Sequence, residues 1–342
     1  MSRRALLSLV CLVAFAGVAL AAWMVRRGAG ARAGGGPGFR IINVHEHIKS
    51  RKVAPRLLRA MDDLGIEKTV LCAGAKMTTH SPKKYGFEGW EENNQEVIDI
   101  AAKWPDRFVP FVTLRPGLED AAQQLAAWVA KGARGLKLYS GHGSFHTLRL
   151  EDKTEREFAL DDPSMIPVYA WAEREQLPIV WHVNTGKYLD EFRRVMDAYP
   201  KLRVNCPHHC MAVGRVELMR ELLLRYPNLY MDLSHGYHAF MADALRRVSR
   251  DGEKMKKLYA EFPGRFLWGT DVVVTDHKKK TTEWISEMAR SYFGLLGDAE
   301  FRLPVYKSDY TRERIETLPG LSLPRSLLRK IYEENPRRFL KR

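Results

Sequence analysis

A chain of 342 residues, 45% hydrophobic and 28% charged, can bury a full-sized core, which excludes disordered, collagen-like and small disulfide-scaffold proteins. The formal charge of +14 is concentrated at one end: residues 1–40 hold six arginines and no acid, leaving +8 for the other 302 residues. No zinc-finger, basic-zipper or aromatic RNA-binding pattern accompanies the run Lys278, Lys279 and Lys280, so a nucleic-acid partner is excluded and the run reads as a solvated face.

From Ala5 to Val25 there is no charged residue, and Arg3-Arg4 and Arg26-Arg27 bracket the stretch. That length suffices to cross a hydrocarbon core of about 30 Å. Three readings fit: a signal anchor, a signal peptide cut after Ala19-Leu20-Ala21, or a twin-arginine export signal at Ser2-Arg3-Arg4. Apolarity continues through Trp23, Met24 and Val25, which favours the anchor. The expected location is therefore membrane-anchored or exported, with the main domain outside the cytoplasm, although the flanking arginines are nearly balanced. Residues 1–27 form this signal segment, residues 28–38 a Gly/Ala-rich linker, and residues 39–342 the folded domain.

Within that domain, short apolar and β-branched runs predict strands at 39–44, 66–73, 107–114, 134–139, 178–183, 202–207, 228–234 and 265–271. Helical periodicity fills 53–64, 93–104, 118–131, 163–176, 187–199, 213–226 and 240–260. Eight strands alternating with helices over about 300 residues predict an α/β fold, a (β/α)8 TIM barrel. An open doubly wound sheet is the alternative, but no Gly-x-Gly-x-x-Gly follows the first strand and no Walker loop occurs.

A barrel of this kind carries its catalytic groups at the carboxyl ends of its strands. The first run leads into His45-Glu46-His47, where alternation puts both histidines on one side and Glu46 away from them. The fifth run delivers His182, the sixth His208 and His209, and the eighth Asp271. One histidine at a strand end is ordinarily structural. Four strand ends converging on one rim predict a metal centre, and imidazoles with a carboxylate suit Zn2+, with Mn2+ or Fe2+ as alternatives.

These residues bring the chain to a family, for residues 41–341 resemble the amidohydrolase superfamily and, within it, the amidohydrolase-2 group of metal-dependent hydrolases and decarboxylases. The resemblance rests on His45-x-His47, Leu177-Pro178-Ile179-Val180-Trp181-His182, Pro207-His208, the stretch from Tyr226 to Ser234, Trp268-Gly269-Thr270-Asp271 and Asn335-Pro336-Arg337-Arg338-Phe339. It implies that His45, His47, His182 and Asp271 bind the metal, with His208 beside it as acid-base or further ligand and Asp271 also catalytic. One departure stands out: the family usually has glycine two places after the sixth-strand histidine, where this chain has Cys210. The adjoining His209 competes with His208 for the role, and Pro207-His208 keeps the family spacing.

Lys137, between Leu136 and Leu138, is expected to face the barrel interior, where a buried ammonium needs a partner. It could form a structural ion pair, contact an anionic substrate, or carry a carbamate bridging two metals as in binuclear relatives. Arg115, at the end of the third strand, could clamp a substrate carboxylate or simply pack in its loop. Asp232 shares the parity of Tyr230 and Ser234 and is expected to orient a ligand histidine. Cys206 is expected to be a core thiol with the inward parity of Val204. His142, His146, His235 and His238 receive no role.

A hydrolase acting on an amide, ester or lactone through metal-activated water is the expected activity, with decarboxylation of an unsaturated or aromatic acid as the alternative. A catalytically inactive, membrane-tethered binding barrel is the rival of another class, and it would have no need of the metal residues. A small-molecule substrate and the membrane are the expected partners, with a homo-oligomer left open.

Overall fold

The computed structural model describes residues 37–80, 87–139, 147–149, 155–236 and 238–341. The segment 5–25, His142 and His146 lie outside them, and among the described residues no helix is long and apolar enough to cross a membrane.

Eight parallel strands run in chain order around a nearly closed barrel: β1 (Ile41–Glu46), β2 (Ile66–Cys72), β3 (Phe108–Thr113), β4 (Gly135–Leu138), β5 (Ile179–Trp181), β6 (Val204–Cys206), β7 (Leu229–Asp232) and β8 (Phe266–Leu267). Backbone hydrogen bonds draw β1 to the segment after β8, with Val44 N donating to Trp268 O (3.0 Å) and Asp271 N to His45 O (2.8 Å). Val274 N donates to His47 O (2.7 Å), so this seam is held where the predicted ligands lie. Between the strands run α1 (Ala54–Leu64), α2 (Trp90–Lys103), α3 (Ala121–Ala130), α4 (Ile166–Arg174), α5 (Leu189–Ala198) and α6 (Val216–Arg225), followed by α7 (His238–Arg250) and α8 (Gly252–Glu261).

The sequence of α1 shows how the outer layer is specified. Pro55 stands in its first turn, Leu57, Ala60, Met61 and Leu64 recur at i, i+3, i+4 and i+7, and Gly65 ends it at φ 69°. Burying each large side chain of that stripe contributes roughly 1.5–3 kcal/mol. The predicted single helix at 240–260 is two helices, because Asp251, outside helical geometry (ψ 22°), interrupts it.

Two cores result. The larger lies between strands and helices, and a smaller one fills the barrel with Ile42, Val44, Val70, Cys72, Phe111, Val180, Tyr230, Leu267 and Phe339. Phe339 comes from the C-terminal helical segment and packs against Phe111 and Tyr230. Val204 and Cys206 belong to the outer core, so the expected inward parity of Cys206 is corrected: Asn205 between them bonds to Asp232. The sequence reading did not assign α9 (Thr282–Gly297) or the antiparallel hairpin of β9 (Glu300–Tyr306) and β10 (Arg312–Pro319), which follow the barrel strands. Thr281 caps α9 by accepting from Trp284 N.

Candidate metal centre

The register of β1 against β2 shifts between Asn43 and Glu46. Ile42 and Val44 fill the barrel, and beyond Val44 the side chains of His45 and His47 turn towards Asp271. His45 Nε2 lies 3.6 Å and His47 Nε2 3.4 Å from Asp271 Oδ1. One ligand atom from each of these three residues falls within 4.8 Å of the others. Tetrahedral coordination with bonds of about 2.1 Å separates neighbouring ligand atoms by about 3.4 Å, so the spacing fits a divalent transition metal.

The tautomers fit as well. His47 Nδ1 donates to the Cys72 carbonyl (2.6 Å), and His208 Nδ1 to the Ser234 carbonyl (2.5 Å). His45 Nδ1 lies 3.2 Å from Asp232 Oδ2 and 3.0 Å from Ser234 Oγ. Carbonyl and carboxylate oxygens only accept, so in each ring the proton sits on Nδ1 and the Nε2 lone pair faces the centre. Burial pushes His47 and His208 down to about 3, keeping both neutral, the form that ligates. Burial alone would raise Asp232, but His45 beside it and hydrogen bonds from His45 and Ser234 hold it well below the carboxylate range.

His208 Nε2 stands 3.6 Å from Asp271 Oδ2 and 3.1 Å from His182 Nδ1. His182 therefore adjoins the compact trio through His208. Lys137 Nζ is buried and donates to His45 Nε2 (3.0 Å), the same lone pair that faces Asp271. Arg115 is half-buried in the loop after β3 and meets none of these groups among the described residues. His209, next to His208, turns away: its Nε2 meets the Tyr259 hydroxyl at 2.8 Å. His238 opens α7.

Four features went unread in the sequence. Glu46 faces away from the two histidines, but it ties the β1 end to the turn carrying Asp271, accepting from Thr270 Oγ1 (2.6 Å), Val273 N (2.9 Å) and His47 N (2.8 Å). Burial pushes its carboxyl up to about 7. Ser234 serves both His45 and His208, and its position two residues after Asp232 was the available signal. His235 packs near His208 (ring centroids 5.8 Å) with Nδ1 bonded to Leu233 O. Cys206, expected as a thiol, is bonded to Cys210. The physical reason is the chain reversal between them, which brings their Cα atoms to 5.0 Å, within disulfide range.

Residues 42–342 match the family described as Amidohydrolase. The chain belongs to the amidohydrolase family. Its members include metal-dependent hydrolases and decarboxylases, which points to an enzyme. Among solved structures the amidohydrolase fold of this chain is similar to a 2,6-dihydroxybenzoate decarboxylase from Rhizobium (TM-score 0.55, 16% identity, 88% of this chain and 98% of that one). It is also similar to a probable 2-pyrone-4,6-dicarboxylic acid hydrolase from Acinetobacter baumannii (TM-score 0.54, 15% identity, 88% and 99%). An uncharacterised TIM-barrel protein from Bordetella bronchiseptica matches at TM-score 0.54 and 18% identity over 88% and 98%. No curated protein matches the chain.

The buried neutral histidines of this amidohydrolase set its acid stability. His47, His208, His209 and His235 are all pushed down to about 3 by burial, whereas in the unfolded chain they take up protons below about 6.5. Between those values the unfolded state binds more protons, so stability falls as pH falls, by up to about 1.4 kcal/mol per unit for each group. Glu46, raised to about 7, opposes this only above about 4.5. Chelator-treated protein is expected to lose Tm on acidification from pH 6.5, most steeply below pH 4.5, and a flat profile would contradict burial of these rings.

Proposed function

We propose that the protein is a metal-dependent hydrolase of an amide, ester or lactone. His45, His47, His182 and Asp271 would hold one divalent ion, Zn2+ in first place and Mn2+ or Fe2+ as alternatives. The observation that carries this reading is the convergence of His45 Nε2, His47 Nε2 and the Asp271 carboxylate, with each imidazole proton committed on the far side. A metal there supplies a Lewis acid and a water of lowered pKa.

The chain's own groups then handle the proton. Asp271 Oδ2 and His208 Nε2 are 3.6 Å apart, so a proton taken up at the carboxylate would pass to the imidazole, and onward to a leaving group, once the two close to hydrogen-bond distance. Asp232 keeps His45 in its tautomer through Nδ1, and Glu46 keeps Asp271 in register with β1. Lys137 and a metal compete for the same His45 lone pair. That conflict is relieved if Lys137 carries a carbamate between two metals, or if its ammonium turns to a substrate carboxylate, and the latter keeps decarboxylation of an unsaturated or aromatic acid as a second reading. Metal-reconstituted protein is therefore to be assayed on lactones, esters, amides and aromatic carboxylates. Acid release from the first three supports hydrolysis, CO2 release from the last supports the second reading, and neither from any would count against both.

We also infer that residues 5–25 tether the barrel outside the cytoplasm. The Cys206–Cys210 bond supports this, since disulfides persist in oxidising compartments. Protease added to intact spheroplasts should digest the barrel, and full protection until lysis would reverse the orientation.

A further inference from the structure

Residues His208, His209, Cys210 and Met211 have φ of 58°, 53°, 56° and 55°, four successive left-handed positions without a glycine. In an L-residue this conformation presses Cβ against the following carbonyl, and single residues, not runs, are the rule. A segment in this conformation needs restraint, and the place of His208 beside Asp271 depends on it. Within the turn, Met211 N donates to His208 O (2.9 Å) and Ala212 N to His209 O (3.0 Å). At its ends His208 N donates to Asp232 Oδ1 (3.3 Å), and Cys210 O accepts from Thr185 Oγ1 (2.7 Å). The covalent restraint is the disulfide, which joins the last residue of β6 to the third residue of the left-handed run and so encloses His208 and His209. Both cysteines are fully buried, so the bond is a permanent part of the fold and not a thiol pair facing solvent.

We infer that the Cys206–Cys210 disulfide is a positioning device for His208. It holds the imidazole at Asp271 and His182 in a turn whose four successive left-handed residues include no glycine. The part played by His208 rests on the proposed function, but the brace itself is a structural statement and can be tested apart from it.

Trypsin cleavage at Arg203 and Arg215 gives a peptide containing both cysteines. From denatured, unreduced full-length protein it should carry no alkyl group after iodoacetamide, and two after prior reduction. Two alkyl groups without reduction would overturn the inference. Histidine-labelled NMR then reads the His208 Nδ1–H bonded to the Ser234 carbonyl in the parent, in a Cys206→Ala, Cys210→Ala pair and in a Cys206→Ala, Cys210→Gly pair. The alanine pair keeps a Cβ at a left-handed position without the brace and should lose this signal, whereas the glycine pair should recover it. In metal-loaded protein kcat should fall about 10²-fold in the alanine pair with KM nearly unchanged, and return in the glycine pair. An alanine pair indistinguishable from the parent, or a glycine pair no better than the alanine pair, would overturn the positioning role. Absence of metal or turnover in the parent, with the peptide and the imidazole signals as expected, would count against the proposed function alone.

Discussion

Full-length protein purified without chelator is expected to carry about one equivalent of a divalent transition metal, and His45→Ala combined with His182→Ala is expected to carry none. His45 offers its Nε2 to the centre from a ring whose other nitrogen is already engaged by Asp232 and Ser234, so removing it deletes both a ligand and the reason for that arrangement. The three convergent groups are buried or nearly so. Asp232→Asn keeps the shape but removes the charge that orients His45, and a loss of metal affinity of about 10- to 100-fold is expected from such a change. Elemental analysis of the double variant decides the matter: full occupancy there would remove the site from these residues.

The second large effect is expected at His208. If one metal is bound, His208→Ala should keep it and lose turnover by about 10²- to 10⁴-fold, with the loss in kcat and not in KM, because a positioned proton acceptor acts in the transition state. His209→Ala should leave turnover near the parent value, since that ring faces Tyr259 behind the turn. If two metals are bridged by a carbamate on Lys137, His208→Ala and Lys137→Ala should each release about one of two equivalents. Metal content and kcat measured together on the three variants separate the cases. Retained turnover in His208→Ala with loss in His209→Ala would assign the role to the other member of the pair.

The sequence alone determined the barrel, because its strands and most of their helices are local patterns: apolar runs of strand length alternating with stripes such as Leu57, Ala60, Met61 and Leu64. It also determined which strand ends carry metal-competent side chains, since His45, His47, His182, His208 and Asp271 follow runs that any count of the strands reaches. The hairpin of β9 and β10 was not read because it is an addition to the barrel, and its strand β10 is exposed along much of its length, without the buried alternation that marks a strand.

Tertiary structure decided what depends on contacts between residues far apart in the chain. The shift in β1 that lets the successive residues Val44 and His45 both face the barrel is a matter of pairing with β2, and the role of Glu46 exists only because the turn at Asp271 lies across the seam from it. His208 and His209 are adjacent and chemically identical, so composition could not choose between them. The left-handed run did, sending one ring to Asp271 and the other to Tyr259. The same run closed Cys206 on Cys210, four residues apart, a distance that an extended strand would have left unbridgeable. Backbone handedness over four residues is a property that the fold imposes, and no propensity of His, His, Cys and Met predicts it.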